Sequence, residues 1–504
     1  MAMNASKGEI TLVSLGQNPS ELGLRYLSSV LLEKGYSVKK VFSKQRREDD
    51  VSPQMVAQIN EISRNSLFIG VSVITDYVRQ ARNFSEQIRR LNRNVVLVAG
   101  GIHPTVRPQE IIDVFDIVVR GEAEQSIVML ADELSNGKGV EEIQLPGVNT
   151  RFYTSEHLGF VDEIENLPVP DFSDNYVFNK KDICLEKNYE ALFGDCYSIL
   201  TSRGCPYHCT YCVNDFYART SNHSFFRKRS VNRIIDELAM AKKNYPVGRI
   251  VFLSDNFLAL GDDELDLFIS RYSREIGFPF YCSATPNCIR KDRIGKMMDI
   301  GLSRISMGIE SGSENTLALY RRKHGSPRTI LQAAEVLHQY FPRLYYSFDL
   351  ILDNPYETSE DLRDTLSLLE SMPRTYDLTL YSLTFYPGTY LYEKAVKDGL
   401  VKDAYYLEQS KHYHRLNPSF HNCLFLLYKL KARAGFIAYV KSCEFAGGVW
   451  ARICRSLAAY SVNILLAVCL LKMIFSSLRN KDGVLASHYV KLGIAVVRSA
   501  LLRR

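Results

Sequence analysis

The sequence predicts a three-part α/β protein: an N-terminal doubly wound parallel sheet, a partial (β/α)6 barrel, and an α-helical C-terminal region. Three observations carry this. Short apolar runs alternate with helical stretches over residues 1–150, the alternation resumes over 195–400 in units of different length, and from about residue 401 long helical stretches replace the strands. At 504 residues the chain is too long for one ordinary domain. Apolar residues at 46% and charged residues at 23% exclude wholesale disorder, collagen-like repeats and a polytopic membrane protein.

In the first 150 residues, Ile10–Leu15, Val38–Phe42, Leu67–Ile74, Val95–Ala99 and Asp116–Val119 read as strands. Leu22–Glu33, Val78–Leu91 and Gln125–Leu134 carry helical spacing between them. Helical crossovers of this length imply parallel pairing, hence a sheet of the flavodoxin or Rossmann type. Ligands of such sheets sit beyond the carboxyl ends of the strands. The loops expected there contain Gly16 and Gln17, Ser72 to Thr75, Gly100-Gly101-Ile102-His103-Pro104-Thr105, and Arg120-Gly121-Glu122. A run rich in Pro, Asp and Asn from Leu167 marks residues 151–194 as a linker. Tyr197–Thr201, Arg249–Ser254, Phe280–Ala284, Arg304–Ile309, Tyr345–Leu352 and Leu378–Thr384 then read as six barrel strands, fewer than a full barrel needs.

The segment Thr201-Ser202-Arg203-Gly204-Cys205-Pro206-Tyr207-His208-Cys209-Thr210-Tyr211-Cys212 follows the first barrel strand and spaces three cysteines as C-x3-C-x2-C. Three thiolates on one loop can each take a different iron of a cubane cluster and leave the fourth iron open. Structural zinc is the alternative; His208 as fourth ligand would have to fold back between two cysteines. The remaining cysteines lack compact spacing, and none precedes Cys184. The N-terminus lacks the layout of a signal peptide, so a reducing cytoplasmic compartment is expected.

This segment resembles the radical S-adenosylmethionine superfamily, whose signature is C-x3-C-x-aromatic-C after the first barrel strand. The resemblance implies that Cys205, Cys209 and Cys212 hold a [4Fe-4S] cluster whose open iron chelates S-adenosylmethionine. One electron, from a donor such as flavodoxin or ferredoxin, then releases a 5′-deoxyadenosyl radical. It places the Tyr211 backbone against the adenine, and Asp255 and Asn256 near the methionine amino group, although the usual Gly-Gly-Glu is absent. Ser306-Met307-Gly308-Ile309-Glu310-Ser311-Gly312-Ser313 resembles the ribose-contacting strand, with Glu310 and Ser311 as polar candidates; a helix-capping role for Glu310 stays open. In Asp349 to Thr358, Asp353 and Tyr356 stand where glycines are common. Tyr386-Pro387-Gly388-Thr389 matches a turn of one branch of the superfamily.

Residues 8 to 150 resemble the cobalamin-binding domain fused to one large branch of these enzymes. Glycines at strand ends admit a flat macrocycle, and small polar residues can hydrogen-bond its amides. The cofactor residues so implied are Gly16, Gln17, Ser72, Thr75, Gly100, Gly101, Gly121 and Glu122. The D-x-H-x-x-G motif of classical cobalamin proteins is absent, and His103 reads as a turn residue rather than a cobalt ligand. A sheet that packs without cofactor is the alternative.

Residues 427–504 hold 13 Lys and Arg against 2 Asp and Glu, a net of +11, so the overall +6 leaves residues 1–426 at −5. Ser456–Leu471 is 16 residues without a charge, shorter than a bilayer span. A last helix over Val484–Leu502 places His488, Lys491 and Arg498 on one stripe. The expectation is a peripheral anchor on anionic lipid at the inner face of the membrane, with a helical cap on the barrel as alternative and nucleic acid not expected. Together these readings predict an enzyme that C-methylates an unactivated carbon of a small molecule or a lipid such as an isoprenoid or hopanoid. Radical cyclisation, rearrangement or coupling is the alternative.

Overall fold

The computed structural model describes residues 6–16, 20–46, 49–179, 181–221, 225–402, 413–444 and 449–479. Gln17 and the helix expected over 484–502 lie outside these residues. The chain divides into two compact units, residues 1–249 with 385–409 and residues 250–384 with 410–504. The expected domain boundaries at 150 and 194 are not those of the compact units.

In the first unit the five expected strands are β1 (Glu9–Ser14), β2 (Ser37–Phe42), β3 (Ser66–Ser72), β4 (Leu97–Gly100) and β5 (Ile117–Val119). They lie in the order β5-β4-β3-β1-β2 and all pair in parallel. The direction of winding therefore reverses between β1 and β3, and a ligand crevice belongs at their carboxyl ends. Val13, Ile69, Val71, Leu97, Ala99 and Val118 form one buried layer with Phe84 and Ile88 of the Val78–Leu91 helix. That strand residues are apolar in runs rather than in alternation reflects helices on both faces.

The stretch expected as a linker is largely sheet and strap. β6 (Val148–Thr150) adds antiparallel to β5, β7 (Asn175–Asn179) adds parallel to β2, and β8 (Asp182–Glu186) closes that edge antiparallel to β7. Of its polar residues, Asn175 is buried and Asp171 half-buried, and both are paired. Arg25, fully buried on the Leu22–Glu33 helix, donates to the Asp171 carbonyl at 2.9 Å and to Asn175 Oδ1 at 3.0 Å. Its guanidinium lies 4.7 to 4.9 Å from the Phe42, Phe172 and Phe193 ring centroids. Burial lowers its pKa to about 10, so it stays charged. The Asp171 carboxylate accepts from Lys40 Nζ and from Ser28 Oγ. Burial pushes that carboxyl up, but Lys40 and the Ser173 and Ser28 hydroxyls outweigh it and hold it below the ordinary value. The unit continues through β9 (Cys196–Ile199) and a short antiparallel pair, β10 (Ser202–Arg203) with β11 (Arg227–Lys228).

In the second unit β12 (Arg249–Phe252), β13 (Phe280–Ala284), β14 (Leu302–Glu310), β15 (Tyr345–Leu352) and β16 (Asp377–Ser382) run parallel in chain order. These five and β9 match the six strands expected from the sequence. Burial alternates along these strands: Leu378, Leu380 and Ser382 are covered in β16, whereas Asp377, Thr379 and Tyr381 are half-buried. Half-buried residues of the neighbouring strands include Tyr281, Ser283, Arg304, Glu310 and Asp349, with Val251 and Ile351 among them.

Beyond the barrel strands, the Phe420–Lys429 helix is buried almost all round. Ala458, Val462, Leu466 and Cys469 of the Val449–Arg479 helix pack toward it. Among the described residues no helix is long and apolar enough to cross a membrane.

Asp171→Ala leaves Lys40 a buried cation without its carboxylate, and it should destabilise the first unit by about 3–5 kcal/mol. Urea unfolding of the variant checks this; a loss within about 1 kcal/mol of wild type would show that the strap is not held by this pair.

Candidate cofactor sites

The cysteine loop starts from a buried ion cluster. Arg203, in the short strand β10, pairs with Glu124 and lies 3.4 Å from Glu122. Arg227 in β11 makes a two-pronged pair with Glu122 at 2.7 and 2.8 Å. Glu122 also accepts from the Val161 amide. Burial raises the Glu122 pKa, yet the two guanidiniums outweigh it and hold the group below the ordinary carboxylate value. Glu122 thus has both oxygens engaged by this protein's own cations, and its place in the motif is explained without a cofactor. The next residue after Arg203 is Gly204, at φ +78°, where a Cβ would stand 2.4 Å from the Phe225 carbonyl oxygen. Only glycine turns the chain there without collision.

Cys205, Cys209 and Cys212 follow, with Cys209 buried and the other two half-buried. The Cys212 amide donates to the Cys209 carbonyl, and Cys212 sits at the N-cap of the Val213–Thr220 helix. A helix N-terminus favours the thiolate. His208 Nδ1 lies 3.2 Å from Asp215 Oδ1. Among the described residues no group of His, Cys, Asp or Glu converges on a single metal ion. A cubane has different needs, because its irons are separate and each takes one thiolate. This donor set fits the cluster.

The Tyr386–Thr389 turn belongs to the same unit. Arg219, held by Asp215 at 2.8 Å, donates to the Gly388 carbonyl at 3.1 Å, and the Thr210 carbonyl accepts from the Leu391 amide. Gly388 has φ +85°, with a Cβ position 2.7 Å from Val106. The turn therefore braces the loop that carries Cys209 and the helix after the cysteines. Arg203, Arg227, Asp215 and Arg219 were not singled out from the sequence. Their signal was adjacency to the motif, which local spacing does not rank.

At the winding reversal, Ser14 Oγ at the end of β1 and Ser72 Oγ at the end of β3 both donate to the Glu21 carboxylate. The Ser72 proton is thus committed to Glu21, and only its lone pairs remain for a ligand. Thr75 opens a short 3-10 turn and is buried. The glycines divide into two kinds. A Cβ at Gly101 would lie 2.9 Å from the Val73 carbonyl oxygen, and one at Gly121 would lie 2.3 Å from that of Gly159, so these serve chain-to-chain approach. Gly16 and Gly100 have nothing nearer than 3.7 Å at the Cβ position and leave the strand ends open, as a macrocycle needs. His103 is buried in the Ile102–Val106 turn of helix with Nε2 3.4 Å from Glu110, consistent with a packed residue.

In the second unit, Asn256 follows β12 and is buried, with Nδ2 donating to Thr285 Oγ1 at 3.0 Å. Its Oδ1 is buried without a partner. An orphan acceptor carries a desolvation cost that a ligand ammonium would remove, so this residue fits the amino group of S-adenosylmethionine. Asp255 beside it is exposed, and Tyr211 in the cysteine loop is half-buried. Glu310 ends β14 in the left-handed region at φ +62° and lies 3.4 Å from Arg322, itself bonded to the Gly308 carbonyl. The next helix is capped by Ser313. Backbone strain of this kind costs about 1–3 kcal/mol and concentrates at functional sites. Ser311 departs from the expectation. It is fully buried and bonded to Thr365 and Glu357, because the chain turns inward after Glu310. Asp353 ends β15 at φ +60°, which explains why glycine is common there. Its carboxylate gathers Ser382 Oγ, the Asn417 amide and Asn422 Nδ2 at 2.7 to 2.9 Å, offsetting the strain.

Two outcomes are expected. Cys209→Ser should fold but, after anaerobic iron and sulfide reconstitution, lose the cluster's visible absorbance; retention of a full cluster would remove Cys209 from the ligand set. Glu357, raised by burial to about 7 from an ordinary 4.5, binds its proton more tightly folded than unfolded. Stability should therefore fall as pH rises from about 4.5 to about 7, by about 3 kcal/mol at most for this group. Glu357→Gln should flatten that slope in denaturant titrations, and an unchanged slope would contradict the assignment.

The Radical SAM superfamily profile matches residues 199–369, and the B12 binding domain profile matches residues 8–131. The chain is 25% identical over 399 residues to an uncharacterized methyltransferase of Pyrococcus horikoshii, covering 77% of this chain and 81% of that one. It is 27% identical over 195 residues to the hopanoid C-2 methylase of Rhodopseudomonas palustris, covering 35% of this chain and 36% of that one. In fold it is similar to the radical S-adenosylmethionine methyltransferase TsrM from Kitasatospora setae, solved with cobalamin and a [4Fe-4S] cluster. The TM-score is 0.62 at 17% identity, with 79% of each chain covered. The chain belongs to the radical S-adenosylmethionine superfamily, in the branch with an N-terminal cobalamin-binding domain, and its cofactors are a [4Fe-4S] cluster, S-adenosylmethionine and cobalamin.

Proposed function

We propose that this chain is a cobalamin-dependent C-methyltransferase acting at an unactivated carbon, with an isoprenoid- or hopanoid-like lipid as the leading substrate class. The observation that carries the reaction type is the cysteine loop, complete and anchored through Arg203 and Arg227 to the turn after β5 of the cobalamin-type sheet. Relatives named as methyltransferases support it. The lipid class rests on the hopanoid methylase and on the +11 tail, which favours an anionic membrane surface.

When bound, the cluster and S-adenosylmethionine supply a hydrogen-abstracting radical and cobalamin a transferable methyl group. The chain's own residues bind and orient. Asn256 Oδ1 would accept from the amino group of S-adenosylmethionine, and Glu310, beside Arg322, would accept from its ribose hydroxyls. The half-buried polar face of β13 to β16 grips the substrate. On it, Asp349 accepts from Ser306 Oγ at 2.9 Å, and burial raises its pKa, so it offers a neutral hydroxyl donor over a wider pH range. The electron comes from a reduced flavodoxin or ferredoxin.

The test is anaerobic turnover of the reconstituted enzyme on a total lipid extract with methyl-deuterated S-adenosylmethionine. A product bearing the deuterated methyl group, together with 5′-deoxyadenosine, is expected. Converted product without label would replace methyl transfer by cyclisation or coupling, and absence of 5′-deoxyadenosine from a cluster-loaded enzyme would overturn the radical reading.

A further inference from the structure

The Val449–Arg479 helix presents two unlike faces. Ala458, Val462, Leu466 and Cys469 are buried, and Ser461 Oγ lies 3.4 Å from Cys423 Sγ of the Phe420–Lys429 helix. On the opposite side Ile453, Leu457, Tyr460, Ile464, Val468 and Leu471 are 40 to 79% exposed. Their spacing of 4, 3, 4, 4 and 3 keeps them within an arc of roughly 80° at 100° per residue. Eighteen residues of rise make the stripe about 27 Å long. An exposed apolar surface of that length on one element marks an interaction site. Phe436 and Tyr439 of the neighbouring Ala434–Ser442 helix are exposed as well.

Charge selects the occupant. From residue 427 to 479 the chain carries eight Lys and Arg and a single acid, Glu444. Glu444 is turned inward, bonded to Arg363 at 3.1 Å and to His421 at 3.0 Å. Lys431, Arg433, Arg452 and Lys472 are exposed, with Arg452 and Lys472 close to the two ends of the stripe. The stripe's spacing would also suit a seam between two helices, but a second copy would bring an equally basic face against this one. An anionic bilayer brings the opposite charge, and interfacial tyrosines such as Tyr460 suit its headgroup depth. The buried face keeps the helix on the protein, so it lies along the surface rather than across it.

We infer that the Ile453–Leu471 stripe is the surface by which this enzyme rests on an anionic lipid bilayer. This deepens the membrane part of the functional reading and is independent of the reaction class. The experiment is cosedimentation of the holoenzyme with vesicles of phosphatidylcholine alone or mixed with phosphatidylglycerol. Binding to the mixed vesicles only, weakened at high salt, is expected. The double variant Leu457→Glu with Ile464→Glu should lose it, and Arg452→Gln with Lys472→Gln should weaken it by about tenfold or more. Both pairs are exposed, and unchanged melting temperature and unchanged 5′-deoxyadenosine release would show that fold and radical chemistry persist. No binding of the wild type to either vesicle, or equal binding by the Glu variant, overturns the inference. So does a concentration-dependent dimer that the Glu variant abolishes without any vesicle binding; that result assigns the stripe to a second copy. Each failure leaves the methylation reading intact, because 5′-deoxyadenosine and label transfer are read separately.

Discussion

The buried pairing of Glu122 and Glu124 with Arg203 and Arg227 is the interaction on which the first unit's chemistry depends. Two acids at the turn after β5 meet two arginines of the paired strands β10 and β11, Arg203 just ahead of Cys205 and Arg227 beyond the helix that follows Cys212. In a low-dielectric setting neither side tolerates loss of the other, so the loop has one place to begin. Gly204 then fixes the direction in which it leaves, since its φ and the nearness of the Phe225 carbonyl admit no side chain. The Asp215–Arg219–Gly388 chain closes the far side. The loop is held on both sides of the three thiols.

The second unit handles its strand ends differently. Glu310 and Asp353 both adopt left-handed backbone at the carboxyl ends of adjacent strands, and both are stabilised through their carboxylates, one by Arg322 and one by three donors. The departures from glycine in the fifth-strand segment thus have a physical basis, and Asp353 ties β15 to β16 and to the start of the Phe420–Lys429 helix. Asn256 is the opposite case. It is buried with one acceptor unfulfilled.

Much was legible beforehand. The five strands of the first sheet and the six of the barrel stand where apolar runs placed them, because burial on both faces demands such runs. Errors fell where composition conflicts with tertiary pairing. Residues 151–194 look like a linker by their Pro, Asp and Asn content, yet Arg25 and Lys40, distant in sequence, satisfy Asp171 and Asn175 inside the protein. Ser311 looked like a ligand contact by its place in a motif, and the turn after Glu310 buried it. Strand-end placement suggests room for a macrocycle at Gly101 and Gly121, but neighbouring backbone fills that room.

By itself the sequence determined the cofactor chemistry, since three thiols at fixed spacing on one loop need no distant residue to declare themselves. It also determined the order of layers, because periodicity and element length are local properties. Only the tertiary structure decided which polar residues are occupied and which are open. Glu122, Ser72 and Ser311 proved engaged by partners 35 or more residues away in the chain, while Asn256 proved buried with an acceptor to spare. Hydrogen bonds and ion pairs across such distances have no period in the sequence, and so the site's exact membership waits for the fold.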